Sequence, residues 1–93
     1  MDIYRPLIKE FLSSRSKKHR KKNKLSQDEM SEQLHISTRA YSDLENGKNC
    51  FSSLSLLFFL LLLESQEVLD LLDNFRKEVV DAEREDNITT ENK

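Results

Sequence analysis

The stretch RSKKHRKKNK, residues 15–24, sets seven basic side chains together with no acid among them. Such a block can hold a polyanion by neutralising its charge. It would also serve as a solvated helix face or a sorting signal. A second stretch, STRAYSDLENG at 37–47, turns Thr38, Arg39, Ser42 and Asp43 away from an apolar stripe of Ala40, Tyr41 and Leu44. Short polar side chains at that density suit the reading of base edges in a groove. Other chemistries lack their residues. Two histidines and one cysteine form no metal-ligand spacing, and no carboxylate pair, catalytic triad or phosphate loop is present. We therefore expect no enzyme, no cofactor and no metal. Cys50 cannot form an internal disulfide and fits a reducing compartment, as a half-buried packing residue.

These side chains need a scaffold, and the composition favours helices. One Gly and one Pro leave few breakers in 93 residues, and Lys, Glu, Leu and Ser dominate. The first helix should start between Asp2 and Pro6 and carry Leu7, Ile8, Phe11 and Leu12 inward, with Ser16 and His19 on the same side. Asn23 or Lys24 should end it, Asn being the better left-handed residue. Ser26 with Glu29 three residues on is a capping box that opens a short second helix. Leu34-His35-Ile36-Ser37 breaks it. Ser37 caps a third helix, which Gly47 ends in the left-handed conformation. A fourth helix starts at Ser52 or Ser53. Ser65 should cap a fifth, in which Val68, Leu72, Phe75, Val79 and Ala82 recur as an amphipathic stripe.

Leu56 to Leu63 is an unbroken apolar run, too short for the roughly 20 residues of a membrane span. With no signal-peptide pattern at the N-terminus, an aqueous, cytoplasmic setting is expected. Leu56, Phe59, Leu60 and Leu63 should face the first three helices, which leaves Leu57, Phe58, Leu61 and Leu62 uncovered. The fifth helix offers a matching stripe, through Val68, Leu72, Phe75 and Val79, within the chain or across a homodimer. A compact five-helix monomer is the alternative. Charge is divided as well. Residues 1–50 carry eleven Lys and Arg against seven Asp and Glu, and residues 51–93 carry four against ten.

Two short helices joined by a tight turn after a basic helix define a helix-turn-helix. LSQDEMSEQLHIS…YSDLENGK resembles the XRE/Cro-repressor family. Ser26-Gln27, Leu34, Ile36, Ser37, Leu44 and Glu45-Asn46-Gly47-Lys48 fall in register, and the likeness runs from Arg20 to Leu63. Ser31, His35, Lys24 and Phe51 replace a common Ala, Gly, Gly and Pro. The resemblance implies an all-α, five-helix lambda-repressor-like fold, with the helix-turn-helix DNA-binding domain over 1–63. A packing or dimerisation helix would follow at 64–86 and a disordered tail at 87–93. It implies double-stranded DNA as partner and a homodimeric repressor as function. Gln27, Thr38, Arg39, Ser42 and Asp43 would then meet bases, with Asp43 either accepting from cytosine or steering Arg39. Ser26, Lys17, Lys21, Lys24, Ser37, Lys48 and Asn49 would meet phosphate. An internal Arg20–Glu45 ion pair is implied too. The competing reading is an antitoxin or adaptor whose C-terminal helix binds a partner protein.

Overall fold

The computed structural model describes residues 2–91. Five helices follow one another: α1 (Tyr4–Lys22), α2 (Gln27–Leu34), α3 (Thr38–Glu45), α4 (Ser53–Leu62) and α5 (Ser65–Glu91). No strand occurs among the described residues. Local chemistry sets most boundaries. The Ser26 hydroxyl accepts from the Glu29 amide at 3.1 Å, and the Glu29 carboxylate accepts from the Ser26 amide at 2.9 Å. Ser37 accepts from the Ala40 amide and Ser52 from the Ser55 amide, both at 3.1 Å. Each cap satisfies a donor that the helix's first turn would leave open.

The first three helices all end in the same motif. Residues Lys24 (φ 56°), His35 (φ 60°) and Gly47 (φ 75°) are left-handed. The next amide then reaches back: Leu25 to Arg20 O at 2.9 Å, Ile36 to Ser31 O at 3.0 Å and Lys48 to Asp43 O at 2.9 Å. This is the Schellman arrangement. Only the third uses the residue that takes a positive φ without strain. Lys24, and not the better left-handed former Asn23, ends α1. Ending there places Leu25 as the apolar residue that follows, and Leu25 packs on the core.

Phe11 and Leu12 of α1, Met30 and Leu34 of α2, Tyr41 of α3, Phe59 of α4 and Leu71 of α5 form the buried core. Ser31, standing where a small residue is needed between α2 and α3, is buried. α5 runs antiparallel along α1. Lys22 meets Glu67 at 3.8 Å, the Phe11 and Phe75 rings lie 5.1 Å apart, and Tyr4 donates to Glu83 at 2.6 Å.

Several expectations shift. The α5 cap is Glu64, whose amide donates to the Glu67 carboxylate at 3.1 Å; Ser65 is already helical. α5 continues to Glu91, past the boundary expected at 86, and residues 92–93 of the expected tail lie outside the described residues. Leu71 takes the buried place in the stripe and Leu72 is exposed, because α1 meets α5 through Leu71 and Phe75. Phe58 and Leu62 are partly buried against the core, Phe58 under the His35 ring at 4.5 Å. Cys50 is exposed.

Candidate nucleic-acid interface

α3 is held from behind. Arg20 donates through Nη2 to Glu45 Oε1 at 2.7 Å and through Nε to Oε2 at 2.8 Å. Its Nη1 donates to the Leu25 carbonyl at 3.0 Å. A planar guanidinium gripping a carboxylate with two parallel bonds fixes orientation as well as distance. The pair therefore ties the last turn of α3 to the last turn of α1. The Glu45 side chain is 3% exposed. Burial alone would raise its pKa. Hydrogen bonds from Arg20 and Gln27, the Tyr41 hydroxyl close by and the Arg20 charge more than offset this and bring it down to about 2. The Tyr41 hydroxyl lies beside Ser16 and Glu45, and burial drives its pKa well above the usual phenol range. No hydrogen bond of normal geometry reaches that hydroxyl among the described residues.

The opposite side of α3 faces outward. Thr38 and Arg39 are exposed, and Ser42 and Asp43 are half-buried. Arg39 makes no ion pair among the described residues, so no Arg39–Asp43 bridge forms. Thr38 is engaged: its hydroxyl donates to Asp28 at 2.5 Å and lies 3.4 Å from the Ser31 hydroxyl. Gln27 is engaged too, its amide donating to Glu45 at 3.3 Å. Ser42 accepts from the Asn46 amide at 3.4 Å. The hydroxyls of Ser26 and Ser37 serve as helix caps. Sequence alone did not expose these internal partners. They depend on how α2 docks on α3, which no spacing along the chain encodes.

The basic block is divided by α5. Arg15, Lys18, His19 and Lys22 line a groove between α1 and α5, opposite Glu67 and Asp70 and over Phe59 and Leu63. His19 is half-buried there, and burial lowers its pKa. Lys17, Lys21 and Lys24 are exposed and do not line that groove. Lys48 and Asn49, just past α3, are exposed as well. Among the described residues no group of three His, Cys, Asp or Glu could hold a metal ion, and no helix is long and apolar enough to cross a membrane.

A second exposed feature lies on α4 and α5. Leu54, Leu57 and Leu61, and Leu69, Leu72 and Val80, stand 45% to 76% exposed. Leu57, Leu61 and Leu72 belong to the expected packing set; Leu54, Leu69 and Val80 add to it. Val68, Phe75 and Val79 are half-buried. The signal for Leu54 was available in the sequence, since it lies three residues before Leu57 and seven before Leu61.

The helix-turn-helix family model matches residues 17–58, which take in the end of α1, all of α2 and α3 and the first part of α4. No curated protein and no solved structure matches the chain. The matched segment contains the Arg20–Glu45 clamp and both caps of the α2–α3 unit. Residues 17–58 thus match a DNA-binding helix-turn-helix unit of the XRE kind, set in an all-α, lambda-repressor-like fold.

Proposed function

We propose that the chain is a homodimeric transcriptional repressor that reads the major groove with α3. The observation that carries this reading is the outward face of α3, with Arg39 exposed and in no ion pair among the described residues, while the inner face is clamped through Glu45. A recognition helix enters the groove with its N-terminal residues at the base edges. Arg39 is the base reader, bidentate to guanine. Ser42 and Asp43 lie one turn on, and Gln27 and Thr38 orient their neighbours while they border the same surface. Lys17, Lys21, Lys24, Lys48 and Asn49 meet phosphate, and Ser26 and Ser37 offer helix N-termini to it.

Dimerisation is supported by the exposed leucines of α4 and α5. Each would contribute about 1.5–3 kcal/mol if fully covered. α4 carries no charged residue, so two copies can bring it together without like-charge repulsion. A two-fold dimer would set two α3 helices on half-sites about 34 Å apart. Binding-site selection from random duplexes should return a palindrome. Arg39→Ala should relax preference at one base pair in each half-site. Lys48→Ala should weaken all sequences alike and flatten the salt dependence. Selection that returns no preferred sequence, or that ignores Arg39→Ala, would overturn the reading. The same leucines favour a second reading, an antitoxin-type or adaptor chain that seats a different protein. Light scattering at micromolar concentration separates the two, since that reading leaves the isolated chain a monomer.

A further inference from the structure

We propose that Asp28 is a specificity-determining residue of the DNA interface, placed to accept a hydrogen bond from the amino group of a cytosine. The inference rests on α3 being the groove helix. Asp28 lies in the first turn of α2 and is exposed. Its Oδ1 accepts from the hydroxyl of Thr38, the first residue of α3, at 2.5 Å. The Ser31 hydroxyl donates to the Asp28 carbonyl at 2.7 Å and lies 3.4 Å from the Thr38 hydroxyl. Asp28 is therefore one hydrogen bond away from the end of α3 that meets base edges.

Two consequences follow from the chemistry. The Thr38 proton is spent on Asp28, so Thr38 cannot donate to a base and serves to position the carboxylate. The second carboxylate oxygen of Asp28 has no hydrogen bond or ion pair among the described residues. A carboxylate in this place repels phosphate and can only accept. In the major groove cytosine offers a donor at N4, whereas adenine sets its N6 donor beside the N7 acceptor, which a carboxylate opposes. Cytosine is the base that fits. An Asn at this position keeps an acceptor for Thr38, loses the charge and gains the donor that suits adenine.

The test is site selection with the full chain, run in parallel for the wild type, D28N and T38V, with thermal melts to confirm that each variant is folded. Wild type should select cytosine at one position in each half-site. D28N should lose that preference by about tenfold or exchange it for adenine, and should bind mixed-sequence duplex more tightly than wild type. T38V, which removes only the positioning bond, should weaken the cytosine preference less than D28N does. A D28N protein with the wild-type site and affinity would overturn the proposal. So would equal loss in D28N and T38V, which would make Asp28 a staple between helices and nothing more. Both outcomes leave the DNA-binding reading standing. Absence of any selected sequence with the wild type would remove that reading and this inference together.

Discussion

The α2–α3 unit and the α4–α5 unit solve opposite problems with the same element. In the first, the N-terminal caps and the left-handed ends are satisfied within the chain. Met30, Leu34, Tyr41 and Leu44 are buried, and what faces out is polar. In the second, α5 covers α1 through Leu71 and Phe75, yet six large apolar side chains remain in water. One unit is closed and presents hydrogen-bonding groups. The other is open and presents leucine. In a small domain, where only a modest share of the unfolded surface is buried, apolar surface left uncovered is stability not yet collected. On the function proposed above, the closed unit serves recognition and the open one assembly.

The largest effect should come from breaking the clamp of the closed unit. Glu45→Ala leaves the Arg20 guanidinium half-sheltered without its carboxylate. It should destabilise the fold by about 3 kcal/mol, since removing one member of a buried pair strands the other. Urea unfolding measures this, and a loss under 1 kcal/mol would mean that the clamp does not hold α3. The same carboxylate gives a pH signature. Its folded pKa of about 2 lies below the ordinary glutamate value of 4.5, so the unfolded chain binds the proton more readily. Stability is then full above about pH 4.5 and falls as pH drops through 2, by on the order of 2–3 kcal/mol. Glu45→Gln should flatten that part of the profile.

The open unit should respond differently. Leu61→Asp should raise the dimer dissociation constant at least ~tenfold, equivalent to about 1.4 kcal/mol. The melting of the isolated protomer should hardly change, because Leu61 is 76% exposed. Sedimentation at several concentrations reads the first and dilute thermal melts the second. A large loss of protomer stability would show that Leu61 belongs to the chain's own core.

The smallest effect sharpens the closed unit further. Lys24→Gly should stabilise by about 0.5–1 kcal/mol by relieving a left-handed lysine. His35→Gly should gain less, since the His35 ring packs on Phe58. Denaturant midpoints of the two variants test the order.

The closed unit was the legible one. Its ends are decided by residues within a few positions of one another: Ser26 with Glu29, Ser37 with Ala40, and Gly47 with the last turn of α3. The Arg20–Glu45 pairing came from family resemblance, and no spacing within the chain announces it. The open unit was harder to read. Val68-Leu69-Asp70-Leu71-Leu72 puts apolar residues on two adjacent faces, so the sequence allows a stripe through Leu72 as readily as one through Leu71. Contact between α1 and α5 decides it, and that contact joins residues far apart in the chain. Phe58 was expected in water for a similar reason. Its shelter is the left-handed His35, whose ring direction follows from the turn and not from helical periodicity. The partners of Thr38 and Gln27 were hidden likewise, since Asp28 and Glu45 reach them only once α2 and α3 have docked.

The most direct test of this division is an amide-resolved NMR titration of the full chain with its selected duplex. Shifts should concentrate at residues 26–28, 38–43 and 48–49, while residues 54–61 and 69–80 keep the positions they hold in the free dimer. Shifts confined to the leucine faces of α4 and α5, with α3 unmoved, would contradict the account.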